Sequence, residues 1–204
     1  MKIINASYEI NKFNPIEMLK TLERIGRVCY KSEDKITIDS AEKFVKMIIK
    51  RGHLSVLEHA SITVKFICDR GISHEIVRHR IAAYSQESTR YCNYAKEKFG
   101  NEITVIVPFF FNNEQYHEWY LAMCQAEKSY MQLLKLGATP QKARTVLPNS
   151  LKTEINVTYN LRQWLHFLKL RTHESAHPQM RELIIPLQKD LQKLLPCIFK
   201  ASNT

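Results

Sequence analysis

The sequence predicts an α+β fold: a single domain over residues 1–204, with a mixed or antiparallel sheet, helices packed on it and no Rossmann motif. Three observations lead there. Ile62, Val64, Phe66 and Cys68 alternate with Thr63 and Lys65, and Leu151, Thr153, Ile155, Val157 and Tyr159 alternate with Lys152, Glu154, Asn156 and Thr158. That period of two marks half-buried strands. Helix-capping signals stand before and after these strands. The five glycines, at 26, 52, 71, 100 and 137, are too dispersed for G-x-G-x-x-G or a P-loop, which excludes the Rossmann arrangement.

The elements follow in order. Lys2 to Tyr8 reads as a strand. Asn14-Pro15-Ile16-Glu17 supplies an N-cap, proline at the first helical position and an acid at the third, so a helix is expected to about Lys31. Asp39 and Glu42 repeat the signal for a second helix, ended by Gly52. After the strand over 62–68, Gly71 is read as a break and Ile72 to about Arg80 as a short helix. A strand near Ile103–Val107 precedes a long helix from Asn112 or Asn113 to Gly137. Thr139-Pro140 opens a short helix that Pro148 closes. The strand over 151–159 leads into a helix begun by Asn160 and Gln163, with Leu161, Trp164, Leu165 and Leu168 as its apolar stripe. A last helix is expected from Pro178 to about Leu195.

With 45% apolar and 25% charged residues the chain can supply a core, which excludes wholesale disorder. No apolar run approaches the roughly 18 residues of a membrane span, and the N-terminus lacks a signal-peptide pattern. The expectation is a soluble, cytoplasmic protein with no membrane partner. Cysteines 29, 68, 92, 124 and 197 form no C-x-x-C pair, so reduced thiols are expected in place of disulfides or structural zinc. Thirty Lys+Arg against 20 Asp+Glu leave a net charge of +10, which attracts anions without saying which.

Three features could carry chemistry. His173-Glu174-Ser175-Ala176-His177 spells H-E-x-x-H, which binds zinc when a helix puts both imidazoles on one face. Pro178 disfavours a helical His177, so the pair is placed in a loop and no metal is expected. Cys197, between Pro196 and Ile198, reads as a packed and inert thiol. The densest cluster runs from Arg78-His79-Arg80 through Tyr84 to Ser88-Thr89-Arg90-Tyr91. Its forked guanidiniums and hydroxyls suit a phosphate and a polar ring, while a solvated basic helix end is the bland reading. A single-stranded nucleic-acid-binding module, stacking bases on Tyr84, Tyr91 and Tyr94, is the alternative function, although a strand-binding groove needs a continuous basic stripe.

Arg78-His79-Arg80, seven residues, then Ser88 resembles the R-H-R-x7-S signature of the flavin-dependent thymidylate synthases, and Phe66-Ile67-Cys68-Asp69-Arg70-Gly71 before it is similar to that family too. Three further blocks agree in order: His53-Leu54-Ser55-Val56-Leu57-Glu58-His59, Ala143-Arg144-Thr145-Val146-Leu147-Pro148, and the segment Asn160 to Arg171. The resemblance spans roughly residues 50–185.

The resemblance implies methylation of dUMP to dTMP, with methylenetetrahydrofolate as carbon donor, FAD as hydride carrier and NADPH as reductant. It implies no cysteine nucleophile: Arg171 would lie against the uracil and favour its N3-deprotonated form, a task suited to a permanently charged guanidinium. Glu75, Arg78, Gln86, Glu87, Ser88, Thr89, Arg90 and Arg144 would line the dUMP site, with Ser88 and Arg90 on the phosphate. Ser55, Arg78, His79, Arg80, Gln86, Asn160, Leu161, Arg162 and His166 would contact FAD, and His53 and Glu58 would contact flavin or folate. The same resemblance implies a homotetramer with active sites shared between subunits and no nucleic-acid partner. Tyr116, Trp119 and Tyr120 are read as core or subunit contacts.

Overall fold

The computed structural model describes residues 1–200. In chain order the elements are β1 (Lys2–Ile4), β2 (Ser7–Ile10), α1 (Pro15–Val28), α2 (Ser40–Lys50), β3 (Ser61–Asp69), α3 (Arg70–Ile76), β4 (Ala83–Gln86), β5 (Thr104–Ile106), α4 (Asn113–Lys135), α5 (Pro140–Ala143), β6 (Lys152–Asn160), α6 (Leu161–Arg171), α7 (Pro178–Leu194) and α8 (Pro196–Phe199). Short 3-10 turns cover Leu54–His59 and Arg144–Val146. The α+β class is what the structure shows. One sheet has the order β2-β3-β6-β4, and β1 pairs separately and in parallel with β5, with Ile3 opposite Val105. Among the described residues no helix is long and apolar enough to cross a membrane.

Both alternating segments are strands with the expected inward faces. Ile62, Val64, Phe66 and Cys68 are each 1% exposed or less, and Thr153, Ile155, Val157 and Tyr159 are fully buried. β3 and β6 run antiparallel: Thr63 Oγ1 meets Thr158 Oγ1 at 2.7 Å, while Arg70 N donates to Leu151 O at 3.1 Å, so rising numbers on one strand meet falling numbers on the other.

Three local expectations need correction. Lys2 to Tyr8 is two strands in two different sheets, because the chain leaves β1 at Asn5 and re-forms as β2. The helix expected over 72–80 is α3, which starts earlier and stops at Ile76. Its cap is Asp69, whose Oδ1 accepts Ile72 N at 2.7 Å, so Gly71 lies within the first turn and does not break the chain. Residues 83–86, within the basic cluster and given no element by the sequence, form β4.

By internal contacts the chain divides into two compact units. The first comprises Met1–Tyr8, Lys65–His79 and Tyr84–Asn156. Its core gathers Tyr94, Ile103, Val105, Trp119, Met123, Tyr130, Ala143 and Leu151. α4 opens with a reciprocal cap, Gln115 N donating to Asn112 Oδ1 at 2.9 Å and Asn112 N to Gln115 Oε1 at 3.1 Å. From there it carries Trp119 into the core, where the indole N–H donates to Ser150 Oγ at 3.0 Å. Tyr116 packs against the same core, whereas Tyr120 is exposed.

The second unit comprises 9–64, 80–83 and the chain from Val157 onward. Asn14 caps α1, its Oδ1 accepting Ile16 N at 3.0 Å and Glu17 N at 3.2 Å. α1 packs on α2, and α6 packs on the turn 54–59 and on α7. The deepest part is aromatic: Trp164 meets Tyr159 edge-on at 4.8 Å between centroids and Phe167 at 5.6 Å. At Gly26 α1 lies tight against the α2 side: a Cβ there would lie 2.6 Å from Cε1 of the buried Phe44. Glycine to alanine inside a helix ordinarily stabilises by about 1 kcal/mol. At Gly26 the sign reverses: Gly26→Ala is expected to destabilise by roughly 1–3 kcal/mol through overpacking, read by urea unfolding.

Candidate active site

The residues expected at a nucleotide fall in the first unit, Arg171 excepted, and three bolts position them. Gln86 at the end of β4 donates from Nε2 to Ser73 Oγ of α3 at 2.9 Å and to Thr153 Oγ1 of β6 at 3.2 Å. Tyr84 donates its hydroxyl to Ile76 O at 3.0 Å and to His79 O, closing the C-terminal end of α3. Arg90 Nε donates to Gln141 Oε1 at 2.8 Å, tying the loop after β4 to α5, one turn before Arg144. Glu75, Arg78, the segment 86–90 and Arg144 are thereby carried on elements joined to one another.

Within the loop, Ser88 O accepts Tyr91 N at 3.1 Å and Cys92 N at 2.9 Å, and Ser88 Oγ accepts Arg90 N at 3.3 Å. Ser88 thus opens a tight turn whose hydroxyl still has a proton to donate. Arg78, Arg90 and Arg144 are exposed, Glu75 and Ser88 are half-buried, and Thr89 is buried. His79 is buried as well, at 7% exposure. Glu87 is committed on both carboxylate oxygens: Tyr94 donates its hydroxyl to Oε1 at 2.9 Å and Lys152 Nζ lies 3.0 Å from Oε2.

Lys152 also meets Glu154 Oε1 at 2.6 Å, and Lys65 meets Glu154 Oε2 at 2.6 Å. Hydrogen bonds from Lys152 and then Lys65 hold the Glu154 carboxyl below its ordinary 4.5. Burial opposes the charge on Lys152, yet its bonds to Glu154 and Glu87 outweigh that and raise it above its ordinary 10.5. A depressed carboxylate adds stability above its ordinary value and loses it as pH falls through the lowered one. A raised lysine adds stability below its ordinary value and loses it as pH rises through the raised one. The group therefore contributes fully from about pH 6 to about pH 9. Unfolding stability is expected to fall in acid, and Glu154→Gln to flatten that acid limb in urea titrations across pH.

The residues expected at a dinucleotide fall in the second unit, apart from Arg78, His79 and Gln86. Asn160 caps α6, its Oδ1 accepting Gln163 N at 2.8 Å. Leu161 is fully buried and its N–H donates to Ala60 O at 2.9 Å, which fixes α6 beside the turn 54–59. Arg162 Nη1 lies 2.5 Å from Glu58 Oε1, joining the same two elements at the surface. Ser55, Arg80 and His166 are exposed, and Arg162 and His166 share a face one turn apart. His53 is exposed, shares a hydrogen bond between its Nδ1 and the Tyr30 hydroxyl, and stacks on that ring at 6.1 Å. Arg171 ends α6, half-buried, ahead of the capping residue Thr172. The set fits an anionic cofactor by its chemistry: the exposed guanidinium of Arg162 and imidazole of His166 lie on the outer face of α6.

Other features are placed as the sequence implied. His177 is extended, with φ −52° and ψ 137°, and caps α7, while His173 Nδ1 meets Ser175 Oγ at 2.8 Å, so the two histidines are not on one helical face. Cys197 is buried in α8, and burial pushes its thiol up to about 11. Burial also pushes Cys68 and Cys92 upward. Of the aromatics considered for base stacking, Tyr94 is 5% exposed and Tyr84 is bonded to the α3 end, so only Tyr91, at 76%, presents an open ring. Sequence reasoning missed the Lys65–Glu154–Lys152–Glu87–Tyr94 row. Its signal was the outward alternation of Lys152 and Glu154 on β6, which by itself looks like solvated charge.

The family described as thymidylate synthase complementing protein matches residues 16–197. A flavin-dependent thymidylate synthase of Pyrococcus abyssi is 36% identical, with 79% of this chain and 67% of that protein covered. The enzyme of the same name from Geobacter sulfurreducens is 35% identical, covering 86% and 78%, and that of Pyrococcus furiosus is 35% identical, covering 95% and 80%. Among solved structures, a UMP/dUMP methylase PolB from Streptomyces cacaoi, bound with 5-Br dUMP, superposes with a TM-score of 0.81 at 21% identity, covering 98% of this chain and 96% of that one, a likeness of fold. The chain belongs to the flavin-dependent thymidylate synthase family.

Proposed function

We propose that the protein methylates dUMP to dTMP, with methylenetetrahydrofolate as carbon donor and NADPH as reductant, as a homotetramer whose sites are shared between subunits. The observation that carries this reading is membership of the family across residues 16–197. When bound, FAD supplies the hydride-carrying chemistry between reductant and substrate. Ser88 and Arg90 bind the nucleotide phosphate, the hydroxyl donating one bond and the guanidinium a forked pair. Arg78 and Arg144 add positive charge around the same anion, and Glu75 and Gln86 contact the nucleoside. Arg162 and His166, with Asn160 at the helix start, hold the cofactor against α6, and Ser55, Arg80 and His79 extend that contact. His53 and Glu58 approach the flavin or folate.

Arg171 acts on the uracil itself. A fixed guanidinium beside the ring stabilises the N3-deprotonated form and pushes electron density towards C5. No thiol is needed for this, which suits a chain in which burial raises Cys68, Cys92 and Cys197 away from the reactive thiolate. The test is an assay for dTMP from dUMP, methylenetetrahydrofolate and NADPH with FAD-loaded protein. Product is expected only when all are present, and its absence from a flavin-loaded protein would overturn the reading.

A further inference from the structure

The geometry points to Lys152 and Tyr94 as positioning residues of the nucleotide loop, acting through Glu87, an inference that rests on the proposed dUMP site. Glu87 is held at three points. Its backbone N–H donates to Glu154 O at 2.8 Å, Tyr94 donates its hydroxyl to Oε1 at 2.9 Å, and Lys152 Nζ reaches Oε2 at 3.0 Å. A carboxylate used on both oxygens and only 13% exposed is poorly placed to take a ligand bond as well. It is well placed to fix the Cα from which the chain turns into Ser88, Thr89 and Arg90.

The anchors are themselves rigid. Tyr94 is buried in the core of its unit, packing edge-on against Phe99 at 5.3 Å and against Tyr130 at 5.8 Å. Lys152 sits on β6 between Glu87 and Glu154, and Lys65 on β3 completes the row. Two cations and two carboxylates alternate across neighbouring strands, so the row is neutral and each charge has an opposite neighbour. The same row borders a cleft of about 450 Å³ whose lining includes Gln86, Glu87, Lys152 and Glu154. Removing the cation would leave the Glu87 carboxylate half-paired in a confined place, and the side chain would swing out and carry the loop with it. A loop that binds a phosphate through Ser88 and Arg90 would then have to be re-ordered by the ligand, at a cost in affinity.

The test uses FAD-loaded Lys152→Met, Lys152→Arg and Tyr94→Phe, measuring flavin content, kcat and KM for dUMP. Lys152→Met is expected to raise KM for dUMP about tenfold, the loss of one charge-assisted hydrogen bond. Flavin content and kcat should stay close to wild type, and Lys152→Arg should recover most of the KM. Tyr94→Phe, which removes a single hydroxyl, should raise KM in the same direction. A KM unchanged in both Lys152→Met and Tyr94→Phe overturns the inference while leaving the dUMP reading standing. Loss of flavin content and kcat in parallel with KM in Tyr94→Phe overturns it too, because a general structural role would do that. A wild-type enzyme whose turnover does not depend on dUMP overturns the site and this inference together.

Discussion

Arg171→Ala is expected to lose about 100-fold or more of dTMP turnover, the scale seen when a donor aimed at developing charge is removed. Flavin content should remain that of the wild type. The separation follows from α6. Arg162 and Arg171 are nine residues apart on one unbroken helix, about 14 Å at 1.5 Å per residue, so the end proposed to hold the cofactor and the end proposed to meet the uracil are distinct places on one rod. Arg78→Ala should instead reduce both flavin content and turnover, since Arg78 is assigned to both ligands. Arg171 also sits in the last turn, where any cation stabilises the helix by about 0.3–1 kcal/mol. Arg171→Lys separates the two roles: it keeps the charge and the helix stability but lacks the planar fork, so turnover should stay low. Turnover recovered by lysine, or flavin lost in step with activity in Arg171→Ala, would refute the role given to the guanidinium.

The largest effect on stability is expected at Trp164. It is fully buried, packs against Tyr159 and Phe167, and its indole N–H donates to Ile62 O at 3.0 Å, joining α6 to β3. Trp164→Ala removes the packing and one buried hydrogen bond, so about 3–5 kcal/mol is expected. Against a typical total of about 5–15 kcal/mol that is a large fraction. At roughly 2–4 °C per kcal/mol for a chain of this size, the melting temperature should fall by about 6–20 °C. Trp164→Phe keeps most of the apolar volume and loses only the hydrogen bond, so its loss should be about 1–2 kcal/mol. A change under 1 kcal/mol in calorimetry of Trp164→Ala would mean that the aromatic cluster is not the keystone of this unit.

Legibility in the sequence followed the energy of the local signal. β3 and β6 were readable because strict alternation of apolar and polar residues survives any tertiary arrangement, and α1, α4 and α6 because Asn14, Asn112 and Asn160 each spend a side-chain oxygen on a backbone N–H within three residues. β4 was not readable. Ala83-Tyr84-Ser85-Gln86 has no apolar face, and it is a strand because it pairs with β6, far away in sequence, while the Gln86 side chain bonds to Ser73 and Thr153, partners 13 and 67 positions away. The break between β1 and β2 was equally hidden, since a run of strand-forming residues does not say which partner each half will meet.

What the chain determined alone was its class, its capped helices, its two alternating strands and the motif blocks that name its family, because each is written in residues close together along the chain. What only the tertiary structure decided was which of those residues touch. Glu87, read as a ligand contact, has both oxygens occupied by Lys152 and Tyr94, and Leu161 lies wholly inside. Those outcomes depend on hydrogen bonds and packing between segments far apart in sequence. Such contacts form only when burial brings the segments together, so no local pattern announces them.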